Sequence, residues 1–83
     1  MEKEVIIYIK TRCPFCARLI SILKERGIMF KEIDFIKNPE YAERIVIRDG
    51  NTPAPQVEMG GRIIFDYTTE ETLSDEIEKY MKS

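Results

Sequence analysis

The chain contains no histidine. This absence excludes serine or cysteine nucleophiles activated by an imidazole, and metal ions held by imidazole nitrogen. The chain also has only two cysteines. Two thiolates without histidine do not complete a four-ligand zinc site of the usual kind, so a metal or cluster would need a ligand from a second subunit or from outside the protein. We therefore expect no bound metal and no resident cofactor.

The chain also has no large excess of charge of one sign and no long apolar run. The net charge of −2 gives no electrostatic basis for binding nucleic acid or an anionic membrane. No apolar run reaches the length that spans a bilayer, and the start Met1-Glu2-Lys3-Glu4 differs from that of a secretory signal. We expect a cytoplasmic protein whose partners include neither nucleic acid nor membrane.

The composition is otherwise typical of a small folded domain. Hydrophobic residues make up 43% of the chain and charged residues 34%, which favours a globular fold over disorder. No internal repeat, low-complexity stretch or linker divides the sequence. We therefore predict a single domain over residues 1–83, close to the size at which one hydrophobic core suffices.

Both cysteines lie in one short segment, Thr11-Arg12-Cys13-Pro14-Phe15-Cys16. A β-branched apolar run at residues 5–9 precedes it, and a pattern of helical period follows it. A strand that leads to Cys-x-x-Cys at a helix N-terminus is typical of a thiol–disulfide redox centre. The helix N-terminus favours a thiolate at Cys13, and the i,i+3 spacing places Cys16 on the same face. We predict that Cys13 attacks a disulfide and that Cys16 resolves the mixed disulfide.

Other interpretations of the two cysteines remain open. A structural disulfide would close so short a ring that the loop-entropy model gives it only about 2 kcal/mol, and the cytoplasm would keep it reduced. The pair also suits one half of a metal site shared between two subunits, or two inert thiols. The context of a strand and a helix N-terminus favours redox catalysis over these.

The remaining sequence predicts an α/β domain with the element order β-α-β-α-β-β-α. The first β-α-β unit should be parallel with a right-handed crossover, and the last two strands should form a hairpin at Gly60-Gly61. The first helix should end at Gly27, and the middle helix should begin at Asn38-Pro39-Glu40 and end at residues 49–51. The spacing of Thr68 and Glu71 is that of a capping box, which predicts the start of the last helix.

In these features the chain resembles the glutaredoxins, a family with the thioredoxin-like fold. The resemblance rests on Tyr8-x-Lys10-x-x-Cys13-Pro14-Phe15-Cys16, on Pro55-Gln56-Val57 and on Gly60-Gly61. It implies a four-stranded mixed sheet in the order 2-1-3-4, covered by three helices. It also implies a monomeric dithiol oxidoreductase that reduces protein disulfides or glutathione mixed disulfides, with glutathione as reductant or co-substrate.

The resemblance also implies a set of binding residues. Lys10 matches the family lysine that pairs with the glycyl carboxylate of glutathione, and Phe15 stands where the family usually has tyrosine. Pro55 would be the cis-proline facing the cysteines, with the backbone of Ala54 presented to an extended substrate. From its position alone, we expect Arg12 to act mainly on Cys13.

Two segments depart from the family pattern. The family's Gly-Gly-x-Asp falls on Phe65-Asp66-Tyr67-Thr68, and its Thr-Val-Pro falls on Pro53-Ala54-Pro55. In glutaredoxins the glycines let the backbone approach the γ-glutamyl carboxylate of glutathione, whereas Phe65 and Tyr67 add bulk and Asp66 adds a like charge. Thr68 keeps a hydroxyl for a carboxylate or a helix cap, and Tyr67 is placed to line the substrate groove.

Two alternative functions follow from this departure and from the cysteine pair. The first is a thioredoxin-like electron carrier that a flavin-containing thiol reductase recharges in place of glutathione. The second belongs to another class: a dimer that holds an iron–sulfur cluster through Cys13 of each subunit, with glutathione as the other ligand.

Overall fold

Four short strands form one mixed sheet, with two α-helices packed on one of its faces. The computed structural model describes residues 3–83. Its elements are β1 (Ile6–Ile9), α1 (Pro14–Glu25), β2 (Lys31–Asp34), a 3₁₀ turn (Pro39–Tyr41), β3 (Gln56–Met59), β4 (Arg62–Ile64) and α2 (Glu70–Lys82).

The strand order is β2-β1-β3-β4, which confirms the predicted order 2-1-3-4. β1 and β2 are parallel, with Ile6 opposite Lys31, as expected for strands joined by a helical crossover. β3 lies antiparallel to β1, with Ile7 opposite Val57, and pairs with β4 in the hairpin predicted at Gly60-Gly61. Both hairpin glycines have positive φ, 58° and 76°, which the tight turn requires.

The main core lies between one face of the sheet and the two helices. Because successive strand residues point to opposite faces, Ile7 and Val57 face the helices, while Ile6 and Tyr8 face away. The buried members of this core are Val5, Ile7, Leu19, Leu23, Val57, Met59, Leu73 and Ile77. α1 ends just before Gly27, whose φ of 69° matches the glycine predicted to terminate it.

No regular helix covers the opposite face, so the prediction of three helices is wrong. Within residues 3–83 there are two α-helices, and the expected middle helix is reduced to the 3₁₀ turn Pro39–Tyr41. The start signal fails because Asn38 makes no side-chain cap; its amide nitrogen Nδ2 instead donates to the backbone carbonyl of Asp34 at 2.9 Å. The β-branched run at residues 45–47 also has low helix propensity.

Gln56 forms hydrogen bonds with backbone groups of the segment that replaces the middle helix. Its side chain is fully buried. Oε1 accepts from the backbone N–H of Val46 at 2.8 Å, while Nε2 donates to the carbonyls of Val46 at 2.9 Å and Pro53 at 2.8 Å. One side chain therefore satisfies three backbone groups of the irregular segment, which then buries Ile45 against the second face of the sheet.

The last helix begins one residue later than predicted. Thr69 occupies the N-cap, where its hydroxyl accepts from the backbone N–H of Thr72 at 3.1 Å. The predicted capping box of Thr68 and Glu71 is therefore wrong, and Thr68 is left exposed on the segment that enters the helix. The first turn carries Glu70 and Glu71, whose charges suit the positive end of the helix dipole.

Replacing Gln56 with leucine should lower the free energy of unfolding by about 3 kcal/mol, because it leaves three part-buried backbone groups without partners. Urea denaturation monitored by circular dichroism measures the change. Glu32→Leu makes a similar polar-to-apolar change at an exposed position of β2 and should shift the free energy by less than about 0.5 kcal/mol. Equal unfolding midpoints for Gln56→Leu and the unmodified protein would contradict this role.

Candidate active site

Cys13 occupies the N-cap of α1. Its extended backbone (φ −104°, ψ 105°) turns the chain into the helix, and Pro14 follows at the first helical position, where no backbone N–H is needed. The Sγ atom of Cys13 accepts a hydrogen bond from the backbone N–H of Cys16 at 3.2 Å. The sulfur thus takes the place of the usual capping oxygen, among the unpaired N–H groups that favour negative charge.

Cys16 lies one turn further along the helix and is buried, with 3% of its surface exposed. Burial, followed by the hydrogen bond with Cys13, raises the pKa of Cys16 to about 12. The two thiols are both free and differ sharply in environment: Cys13 is half-buried at the helix end, and Cys16 is enclosed. This asymmetry suits one thiol that meets a substrate and a second that stays protonated inside the protein.

The backbone before β3 faces Cys13 across the site. The Ala54–Pro55 peptide bond is cis, and Pro55 is buried. The thiol of Cys13 donates a weak hydrogen bond to the carbonyl oxygen of Ala54, with 3.8 Å between Sγ and O. The structure thus brings the predicted residues Ala54 and Pro55 to the cysteines.

A groove of about 250 Å³ lies beside the Ala54–Pro55 bond. Aromatic side chains supply much of its wall, and Phe15 is 58% exposed at its rim. We call it the aromatic groove; it is lined by Phe15, Pro53, Ala54, Pro55, Phe65, Asp66, Tyr67, Thr68 and Glu70. Five residues predicted to bind substrate therefore share one surface: Phe15, Ala54, Pro55, Tyr67 and Thr68.

Tyr67 is half-buried between this groove and the main core. Burial raises the pKa of its hydroxyl, and the negative charge of Glu70 and then of the two cysteines raises it further. The hydroxyl therefore remains protonated at neutral pH and keeps its capacity to donate a hydrogen bond. Glu70, in the first turn of α2, also lines the groove, with a side chain that is only 12% exposed.

The predicted cations Lys10 and Arg12 lie on the segment between β1 and Cys13 and do not line the groove. Lys10 is half-buried, and Arg12 is exposed with a φ of 61°, in the left-handed region that non-glycine residues seldom adopt. Within residues 3–83 neither side chain forms an ion pair with an acidic residue. Their positive charges are therefore available on the approach to Cys13.

The sequence analysis missed Arg48, which does not line the groove itself but contacts two residues that do. Its guanidinium lies 5.9 Å from the ring centre of Phe65, and its Nη1 lies 3.9 Å from Oδ2 of Asp66. Seventeen or more residues separate Arg48 from these partners in the chain, so sequence spacing could not reveal the contact. The sequence predicts a helix end at Asp49-Gly50, whereas these two residues form a turn next to Arg48.

The rest of the described chain adds no metal or membrane element. Within residues 3–83, no group of three or more cysteine or acidic side chains is arranged to hold a metal ion. In the same part of the chain, neither helix has the length and apolar character needed to cross a bilayer.

Comparison with known proteins gives concordant matches. The sequence model described as Glutaredoxin matches residues 5–64. The chain is 36% identical over 54 residues to glutaredoxin 3 of Escherichia coli, a stretch covering 65% of each protein, slightly under two thirds of that relative's length. It is 31% identical over 80 residues to a hybrid peroxiredoxin of Haemophilus influenzae, covering 96% of this chain and 30% of that protein. The solution structure of a glutaredoxin from Brucella melitensis superimposes with a TM-score of 0.70 at 30% identity, covering 96% of this chain and 91% of the other.

Iodoacetamide at pH 8 should alkylate Cys13 in the reduced protein and leave Cys16 unmodified, as measured by mass spectrometry of proteolytic peptides. In a Cys13→Ser variant, alkylation of Cys16 should rise with pH, by about tenfold per unit across the alkaline range, because only the thiolate reacts and burial still raises the pKa of Cys16. Since the unfolded chain loses this proton at lower pH, the stability of the reduced protein should fall over the same range. Equal labelling of both thiols at pH 8 would contradict the assignment.

Proposed function

The chain belongs to the glutaredoxin family, and on that premise we propose that it is a thiol–disulfide oxidoreductase in which Cys13 attacks and Cys16 resolves. Glutaredoxins are thiol–disulfide oxidoreductases that take electrons from glutathione. One observation carries the proposal most directly: Cys13 Sγ sits at a helix N-terminus, bonded by the N–H of Cys16 at 3.2 Å and 3.8 Å from the Ala54 carbonyl.

In the first step, the thiolate of Cys13 attacks one sulfur of a substrate disulfide. A bond forms between Cys13 and that sulfur, the substrate S–S bond breaks, and the other substrate sulfur leaves as a thiolate that takes a proton from water. The backbone N–H of Cys16 and the helix N-terminus stabilise the attacking charge, because both favour an anion at the Cys13 sulfur.

In the second step, Cys16 attacks the sulfur of Cys13 in the mixed disulfide. A Cys13–Cys16 disulfide forms, the second substrate sulfur leaves as a thiolate, and the proton of Cys16 is lost. Because burial raises the pKa of Cys16, little thiolate is present at neutral pH before this step. An external thiol can therefore compete with Cys16 for the mixed disulfide.

The substrate enters as an extended segment along Ala54. Its backbone lies next to the cysteines and precedes β3, so an extended thiol-containing chain can pair with it in the manner of an added strand. Phe15 and Tyr67 then contact the residues that flank the substrate sulfur. Disulfide-containing proteins and glutathione mixed disulfides both present such a segment.

Electrons come from glutathione, which acts as a co-substrate, and the catalytic cycle uses no resident cofactor. Lys10 and Arg12 provide the positive charge that an anionic tripeptide meets on its approach to Cys13. Thr68 is exposed on the groove wall, where its hydroxyl can donate to a carboxylate. Residues 1–83 act as one domain and as a monomer in this proposal.

A second candidate function is a thioredoxin-like electron carrier recharged by a flavin-containing reductase. It is favoured by Phe65, Asp66 and Tyr67, which line the groove where the family has glycines and small residues. A third alternative, a dimer holding an iron–sulfur cluster, would give a coloured protein. A colourless preparation after anaerobic purification would count against it.

The test of the proposed function is NADPH consumption with a disulfide substrate, with glutathione plus glutathione reductase in one arm and thioredoxin reductase alone in the other. We expect turnover in the glutathione arm. Turnover in the thioredoxin reductase arm alone would establish the second candidate, because the same thiol chemistry would then lack its tripeptide donor. No turnover in either arm would refute both.

Two cysteine variants serve as matched controls in this assay. Cys13→Ser should abolish turnover, since it removes the attacking sulfur, and substantial activity would contradict the assignment. In the Cys16→Ser variant, Cys13 should still attack the substrate disulfide. Mass spectrometry should therefore detect a mixed disulfide on Cys13 that accumulates when glutathione is omitted.

A further inference from the structure

Arg48 lies next to two residues of the aromatic groove, Phe65 and Asp66, and belongs to a hydrogen-bonded turn. Its backbone N–H donates to the carbonyl of Asn51 at 2.7 Å, and the N–H of Asn51 donates back at 2.8 Å. Asp49 and Gly50 have positive φ values of 51° and 77°, which is the geometry of a two-residue type I′ turn. This turn holds Arg48 against the groove wall, although the surrounding segment lacks regular structure.

The contacts of Arg48 leave its charge available to a ligand. The guanidinium lies 5.9 Å from the ring centre of Phe65, so a groove residue supports it from one side. Its separation from Asp66 is 3.9 Å, and both side chains are mostly exposed, at 64% and 80%. A pair this long and this exposed is weak, and the five N–H donors of arginine can accept a second carboxylate.

The other charges along the groove are already paired. Glu70 lies 3.4 Å from Nε of Arg18, and Arg18 also pairs with Glu71. Arg18 is therefore engaged by two acidic residues of α2, and within the described part of the chain Arg48 is the cation placed against Phe65 and Asp66 of the groove lining. Asp66 is the one groove acid that has no closer cation than Arg48 there.

We propose that Arg48 recognises a carboxylate next to the reacting cysteine of the substrate. The negative charge of Asp66 repels the same carboxylate and so limits the preference for acidic substrates. The ligand is an anionic thiol-containing peptide, either a glutathionyl group or an acidic segment of a protein. In this arrangement Arg48 supplies the attraction for a carboxylate that a glycine-rich turn cannot supply here, because Phe65 and Asp66 occupy that turn. The inference rests on the proposed thiol exchange and specifies its substrate.

The test uses single-turnover reactions of the reduced protein with three mixed disulfides of 2-thiopyridine. Each carries an acetylated, amidated peptide with one cysteine flanked on both sides by glutamate, glutamine or lysine. Absorbance of the released 2-thiopyridone gives the second-order rate constant, without any external reductase. Glutathione activated in the same way forms a fourth substrate and separates a tripeptide source of the carboxylate from a peptide source.

We expect Arg48→Gln to lower the rate constant for the glutamate peptide by about fivefold and to leave that for the glutamine peptide nearly unchanged. Asp66→Asn should act in the opposite direction and raise the glutamate rate constant. Arg62→Gln removes another exposed arginine, on the β3–β4 hairpin, and should change none of them.

Equal effects of Arg48→Gln on all three peptides, or no effect on any, would overturn the role of Arg48. A wild-type protein that reacts with no peptide would instead refute the proposed thiol exchange, so the two failures are distinguishable. A loss confined to the glutathione substrate would mean that the carboxylate is a feature of the tripeptide alone, and would overturn the peptide arm of the proposal.

Discussion

The hydrogen bond from the backbone N–H of Cys16 to the sulfur of Cys13 is the interaction on which the site depends. It requires Cys13 to stand at the N-cap of α1, and it gives this sulfur an electrostatic environment that the buried Cys16 lacks. A chain without histidine has no imidazole to activate a thiol. The helix N-terminus therefore supplies the stabilisation, through backbone groups that any sequence with the same fold would present.

The opposite wall of the site depends on a different residue, Gln56. Its buried side chain holds the carbonyl of Pro53 and the backbone of Val46, and so fixes the segment that carries Ala54 toward Cys13. The parallel and antiparallel pairing of β1 with β2 and β3 then places this segment beside the helix that begins at Cys13. The buried amide of Gln56 and the thiol of Cys13 are thus linked through a few residues of backbone.

Local sequence signals predicted the parts of the protein that local interactions determine. The strand order, the helix that begins at Pro14 and the hairpin at Gly60-Gly61 follow from periodicity, turn residues and the family resemblance. The prediction of a middle helix is wrong because the side chain of Asn38 donates to Asp34 instead of capping a helix, and because Gln56 binds the backbone of Val46 further along; the linear sequence shows neither contact. Tertiary hydrogen bonds outweighed a short stretch of weak helix propensity.

Some residues of the candidate site are likewise predictable from local sequence, and others are not. The two cysteines and the residues near Ala54 and Tyr67 could be named from motifs, because each motif has a fixed place in the fold. Arg48 could not, since its contacts with Phe65 and Asp66 join segments that are distant in the chain. Glu70 is a second case, since its ion pair with Arg18 of α1 and its place in the groove lining also join segments that are distant in the chain.

The most direct test of the central claim is a redox titration of the protein in glutathione buffers of defined ratio, with acid quenching and intact-mass analysis. The account predicts one two-electron transition, in which the monomer loses two hydrogens as Cys13 and Cys16 form a disulfide. The Cys13→Ser and Cys16→Ser variants should show no species of this mass. A protein that oxidises only to intermolecular dimers, or that keeps both thiols free across the whole range, would contradict it.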